Sequence, residues 1–194
     1  GVLGVYGVIF SSVSKGTIIA DSAGRAFFPF ISSSLSDNDE LTKKIIRSSF
    51  EIIIFLSALV FFSIMVFFGP ILGLVFDEST LTNYIDVVFL LCLAFFFSTC
   101  LKFPRTYILA SSKAEFIYKA DFFSLVFLFP LAFYLIYNYG VLGAAFSWVL
   151  FYFTLLIMSV IFSRKNFGLK LDLFSHLVKI GVFFIPVSYL YGVF

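Results

Sequence analysis

The sequence predicts an all-α polytopic membrane protein with about six transmembrane helices, and three observations indicate that fold class. Hydrophobic residues make up 61% of the 194 positions and charged residues 12%, whereas soluble domains average roughly 45–50% apolar and about 25% charged. The apolar residues form long runs, and a helix needs about 20 such residues to cross the hydrocarbon core. All Lys and Arg residues except Lys15 and Arg25 fall in alternate connections between these runs.

The runs predict a single transmembrane domain over residues 1–194. Because they are continuous rather than alternating, helices are favoured over the strands of an outer-membrane barrel. The chain has no initiator Met and begins and ends inside apolar runs, so we expect a fragment of a longer protein. The predicted spans are approximately 2–35, 46–76, 83–110, 116–137, 139–163 and 177–194.

The basic residues predict the orientation of these spans. The connections around 77–83 and 138–139 carry no Lys or Arg. Cytoplasmic connections of membrane proteins are enriched in Lys and Arg, so the basic connections are assigned to the inside and the first span runs from outside to inside. The basic connections contain Lys43, Lys44 and Arg47, then Lys102, Arg105, Lys113 and Lys119, then Arg164, Lys165, Lys170 and Lys179.

Three charges lie inside the first span, namely Lys15, Asp21 and Arg25. A charge at the centre of a membrane helix costs roughly 2.5–3.5 kcal/mol on insertion scales, so each needs a partner, water or a function. In a regular helix these charges share one arc with three hydroxyls. The hydroxyls belong to Ser11, Ser14 and Ser22.

Two interpretations of this polar arc remain open. Asp21 and Arg25 are four residues apart and can neutralise each other, while Lys15 and Arg25 extend toward opposite interfaces. Alternatively, the arc lines a hydrated cavity with net positive charge, since ionisable membrane residues usually face the interior of a helix bundle. Such a cavity suits an anionic substrate, and phosphate is the anion that Lys and Arg commonly bind together.

Other polar residues give weaker signals. Lys102 and Arg105 flank Pro104 and either extend to the inner headgroups or contact the headgroup of a substrate. Cys92 and Cys100 lie about 12 Å apart along one helix, which excludes a disulfide and predicts packing residues. His176, the single histidine, is expected at an interface. No metal spacing, cofactor motif or catalytic set occurs, so neither a cofactor nor an enzyme is predicted.

Small residues open the fifth predicted span. The pairs Gly140 with Ala144 and Gly143 with Ser147 have the small-xxx-small spacing that allows helix backbones to approach closely. The pattern predicts a helix–helix contact here.

Four segments resemble polysaccharide flippases of the Wzx (O-antigen) type. The helix that opens the second lobe of these flippases is resembled by the stretch VYGVIFSSVSKGTIIADSAGRAFFPFISSSLSDND of this sequence. The family's Pro-containing helix end, short outer turn and following helix are resembled by the stretch GPILGLVFDESTLTNYIDVVFLLCLAFFFSTC. The basic inside connection is similar to ILASSKAEFIYKAD, and the outer hairpin is similar to YNYGVLGAAFSWVL. The family commonly has Gly after the Phe of the outer turn, where this sequence has Asp77.

The resemblance implies the MATE-like multidrug/oligosaccharidyl-lipid/polysaccharide exporter fold, with this chain as its C-terminal lobe. It implies a bacterial inner-membrane protein that moves an undecaprenyl-diphosphate-linked oligosaccharide outward by alternating access. Basic cavity residues, to which Lys15 and Arg25 correspond in kind, are expected to hold the diphosphate or acidic sugars. Asp21 is expected beside them, with a change of partner during transport as a hypothesis. Membrane lipids, a coupling ion (H⁺ or Na⁺) and the polysaccharide polymerase machinery are the expected partners, and nucleic acid is not.

Two other functions compete with this interpretation. A MATE-type drug or cation antiporter has the same fold but needs a protonatable acid in an aromatic cavity, which the Phe content fits and the basic bias does not. A membrane glycosyltransferase or polymerase needs catalytic acids in a large outer loop, and the predicted outer connections here are short.

Overall fold

In the computed structural model, all regular elements of the described residues are helical. The elements are α1 (Val2–Ser14), a 3₁₀ turn (Lys15–Thr17), α2 (Glu40–Leu72), α3 (Glu78–Ala110) and α4 (Ala114–Phe167). The predicted all-α class is confirmed for the residues that the structure describes. The predicted span 177–194 and His176 lie outside those residues. The described residues are 2–18, 21–22, 25–26, 29, 40–72 and 78–167.

Three helical stretches are long and apolar enough to cross a membrane. They are Lys44–Phe68, Tyr84–Ala110 and Ala114–Asn166. At 1.5 Å per residue the first two measure about 38 and 40 Å, which exceeds the ~30 Å hydrocarbon core. The fold is therefore that of an α-helical membrane protein, and the total of six spans stays a prediction.

Helix α2 buries one stripe and exposes the opposite one. The exposed stripe includes Ile52, Phe55 and Leu59, as expected for a surface in contact with lipid. The buried side chains recur every three or four residues, the spacing of one helix face. They are Ile46, Ser49, Phe50, Ile53, Ile54, Ser57, Ala58, Phe61, Met65 and Phe68.

Helix α3 is the central helix, because it packs against α1, α2 and α4. Phe103 contacts Phe50 of α2 with ring centroids 5.5 Å apart. Cys92 and Cys100 are free and fully buried, which confirms their predicted packing role. Pro104 lies inside α3, which continues to Ala110.

Helix α4 is folded back on itself at Gly140, where φ is 58° and ψ is −127°. This backbone conformation is essentially restricted to glycine. The rings of Phe116 and Phe162 stack across the two arms with centroids 3.7 Å apart, and Ser124 Oγ lies 3.9 Å from Met158 Sδ. The first arm (114–139) and the second arm (141–167) therefore form an antiparallel hairpin, and each arm is about 40 Å long.

The first predicted span is not one regular helix. Helix α1 ends at Ser14 and tightens into the 3₁₀ turn Lys15–Thr17. Three residues at 120° rather than 100° each turn the following residues by about 60° relative to a regular α-helix. The 3₁₀ turn at Lys15–Thr17 therefore interrupts the polar arc expected from a regular helix.

Candidate functional site

The 3₁₀ turn is held against α2 by a close approach at Gly16. A Cβ atom added to Gly16 would lie 3.0 Å from side-chain carbons of both Phe61 and Ile64. Phe61 is fully buried, so the turn rests on the packed face of α2. Lys15, next to this contact, is exposed.

Asp21 forms an ion pair with α3 rather than with its own segment. Its Oδ1 accepts a hydrogen bond from Lys102 Nζ at 2.6 Å, although the two residues are 81 positions apart. The interpretation in which Asp21 and Arg25 neutralise each other is therefore wrong in this structure. Lys102 and Asp21 keep 29% and 42% of their side-chain surface exposed, so the pair lies in a partly accessible place.

Arg105, one helical turn after Lys102, forms a second ion pair. Its Nη2 donates to Asp121 Oδ1 on the first arm of α4. Its Nε is buried and has no hydrogen-bond partner among the described residues. Lys102 and Arg105 were expected either to extend to the inner headgroups or to contact a substrate headgroup, and each here bridges α3 to a neighbouring segment. Contact with a substrate headgroup stays a prediction.

Most of the predicted hydroxyls are bonded within their own segment. Ser14 donates to the Ser11 carbonyl at 2.9 Å, and Ser22 donates to the Ile18 carbonyl at 3.0 Å. Thr17, which the sequence-based prediction omitted, donates to the Ser14 carbonyl at 2.8 Å. Because their protons are committed to the backbone, the hydroxyls of Ser14 and Ser22 are not donors toward a ligand in this structure.

The charges of this region do not balance. Lys102 and Arg105 are each matched by one carboxylate. Lys15 and Arg25 are exposed, and neither has an acidic partner among the residues that the structure describes. Within the described residues, these two positive charges of the first segment therefore have no acidic partner, and they lie close in sequence to the Asp21–Lys102 pair.

An aromatic cluster connects α1 to α3 and to the second arm of α4. Phe10 lies 5.1 Å from Phe95 and 5.8 Å from Trp148 between ring centroids, and Trp148 stacks on Tyr152 at 5.6 Å. Tyr6 extends the cluster, with its ring 6.0 Å from Phe10. The residue patterns did not reveal this cluster, because its members come from three separate elements. It fixes α1 against α3 and the second arm of α4.

These features define an α-helical membrane protein with ion pairs between its helices. The chain is similar to a curated protein of Shigella flexneri named "Putative O-antigen transporter", with 30% identity over 132 residues. The match covers 68% of this chain and 31% of the relative, so the chain spans about a third of the relative's length. No family model matches the chain. No solved structure matches it either.

Proposed function

We propose that this chain is part of a flippase that moves an undecaprenyl-diphosphate-linked oligosaccharide across the bacterial cytoplasmic membrane by alternating access, for the synthesis of cell-surface polysaccharide. The name of the Shigella flexneri relative and the apolar helices support transport of a lipid-linked glycan. Coupling to H⁺ or Na⁺ and cooperation with the polymerase machinery belong to the same proposal.

The observation that carries this proposal is the positive charge of the first segment that no described acid neutralises. Lys15 and Arg25 are exposed and have no acidic partner within the described part of the chain. A diphosphate carries several negative charges and many acceptor oxygens, which an ammonium and a guanidinium bind through charge-assisted hydrogen bonds. An anionic substrate would balance the two charges that have no acidic partner among the described residues.

The pairing of Asp21 supports an anionic substrate over a cationic one. A cation antiporter needs a carboxylate that is available to the cation or to a proton. Asp21 is instead 2.6 Å from the Lys102 ammonium, which neutralises it. In its described part, this region therefore has two basic residues without an acidic partner, and its carboxylates are paired with bases.

Replacement of Lys15 or Arg25 by alanine is expected to reduce glycan display at the cell surface by about tenfold or more, since each removes a charge-assisted contact worth roughly 1.5–3 kcal/mol. The full-length protein and its variants are expressed at matched membrane levels in cells that lack their own flippase. Surface glycan is quantified with an antibody or lectin, and lipid-linked oligosaccharide is measured inside the cell. Display should fall while the lipid-linked precursor accumulates.

Lys119→Ala is the matched control for these two variants. Lys119 is equally basic, but it is 69% exposed and pairs with Glu115 on its own helix at 3.2 Å. Its replacement should leave display unchanged, because an exposed i,i+4 pair contributes little. Normal display with both Lys15→Ala and Arg25→Ala would show that the two charges do not bind the substrate.

A further inference from the structure

The two ion pairs of α3 differ in how firmly their partners are held. Arg105 and Asp121 lie on helices joined by a short turn, in which the Ser111 and Ser112 amides donate to the Tyr107 and Leu109 carbonyls at 3.0 Å each. Further along, α3 and α4 are packed together by ring contacts such as Phe97 with Phe153 at 5.2 Å. The Arg105–Asp121 pair thus joins two helices that are already fixed to each other.

The Asp21–Lys102 pair lies in a looser setting. Asp21 follows the 3₁₀ turn, and its described neighbours Ser22, Arg25 and Ala26 are exposed. Both members of the pair remain partly accessible, with 42% and 29% of their side chains exposed. A partly solvated pair of this kind contributes only modestly to stability, so a competing anion can displace one member at low cost.

We infer that Asp21 is an internal competitor of the anionic substrate for the Lys102 ammonium, an inference that rests on the proposed function. Lys102 is then a third substrate-binding cation beside Lys15 and Arg25. In this structure the Asp21 carboxylate takes the place of a substrate phosphate at Lys102. Substrate binding releases Asp21 from Lys102, and return of Asp21 to Lys102 promotes substrate release.

The reason for competition is electrostatic. The Lys102 ammonium has three donors, so geometry alone does not prevent it from holding two acceptors. The Asp21 carboxylate, however, already neutralises the Lys102 charge, so a diphosphate gains the full attraction of the ammonium only when Asp21 moves away. Each anion therefore weakens the hold of Lys102 on the other. The Asp21 carboxylate therefore lowers the affinity of the site for the anionic substrate, and this permits release of the substrate after transport.

The inference predicts opposite effects of two neutral substitutions on affinity. Asp21→Asn is expected to bind a diphosphate about threefold to tenfold more tightly than the unmodified protein, because Lys102 becomes free of its competitor. Lys102→Met is expected to bind it about tenfold more weakly, because a charge-assisted contact is lost. The probe is undecaprenyl diphosphate, titrated into the full-length protein in lipid nanodiscs, with Kd as the readout.

The double variant Asp21→Asn/Lys102→Met separates competition at Lys102 from general repulsion. If Asp21 acts through Lys102, the double variant binds the probe as weakly as Lys102→Met alone. A double variant that binds several-fold more tightly than Lys102→Met would overturn the inference, because Asp21 would then act without Lys102. The double variant keeps the charges balanced, so this comparison remains possible even if Asp21→Asn alone does not fold.

Failure of the inference differs from failure of the proposed function. Saturable binding by the unmodified protein, together with an Asp21→Asn variant of unchanged or weaker affinity, would overturn the competitor role and leave the proposed function standing. Absence of saturable binding to the unmodified, correctly folded protein would overturn both. Monodisperse elution and a cooperative thermal transition establish folding for each variant before titration.

Discussion

Replacing Gly143 with alanine is expected to prevent α4 from folding back on itself, with loss of most of the folded protein from the membrane. A Cβ atom added there would overlap the Leu135 carbonyl oxygen and lie 3.0 Å from the Ile136 nitrogen. These are backbone atoms of the facing arm, so the arms must separate and lose contacts such as the Phe116–Phe162 stack. Forcing extra volume into a packed contact typically costs about 1–3 kcal/mol, and a backbone obstacle belongs at the upper end. The measurement is membrane abundance together with thermal unfolding in detergent.

Gly4→Ala is the matched control for Gly143→Ala. A Cβ atom on Gly4 would meet no other atom within 4 Å, and Gly4 lies within α1. Alanine is favoured over glycine inside a helix by roughly 0.5–1 kcal/mol, so this variant should be as stable as the unmodified protein or slightly more so. Equal abundance of the two variants would contradict the close approach of the arms at Gly143.

The fold of α4 could be predicted from the sequence because a hairpin leaves a local signal. The predicted connection at 138–139 between two apolar runs indicated a reversal, which occurs at Gly140, and the small residues after it predicted a close helix–helix contact. Residues equally distant from Tyr139, next to the turn, then face each other, as Leu135 and Gly143 do. Continuous apolar runs predicted the helices themselves, because they have the length that a membrane span requires.

The same symmetry would have identified the partner of Arg105. Arg105 and Asp121 each lie eight positions from Lys113, in the short connection between α3 and α4, so the antiparallel helices bring them together. The sequence-based prediction considered headgroup contact for Arg105 and did not use this spacing. Two residues of opposite charge at equal sequence distance from a short turn can therefore be identified as partners from a single sequence.

The partner of Asp21 could not be obtained in that way. Lys102 is 81 residues away, and no turn relates the two positions. A single sequence offered Arg25, four residues away, as the nearest base, but tertiary packing brought Lys102 closer. The 3₁₀ turn was also missed, because its tightening accompanies the contact of Gly16 with α2, which local propensity does not encode. What a single sequence misses here is the relation between segments distant along the chain.

The Arg105–Asp121 pair carries the second large prediction, a loss of stability that a second substitution restores. Asp121→Leu leaves the Arg105 guanidinium, whose Nε is buried, without its carboxylate. Arg105→Met likewise leaves Asp121 without its cation. Both residues lie in helices long and apolar enough to cross a membrane. An unpaired charge in such a helix costs up to about 2.5–3.5 kcal/mol, so each single variant should unfold at a lower temperature or denaturant concentration. The measurement is unfolding of the purified full-length protein in mixed micelles.

The double variant Arg105→Met/Asp121→Leu should recover most of the lost stability. Replacing both members of an ion pair by apolar residues of similar size is often neutral or stabilising, whereas removing one member leaves an uncompensated charge. Lys119→Met serves as control, because Lys119 and Glu115 are 69% and 86% exposed and their separation should cost little. A double variant less stable than either single one would mean that Arg105 and Asp121 stabilise the protein independently. In that case the packing of α3 on α4, rather than charge pairing, would account for the position of Asp121 beside Arg105.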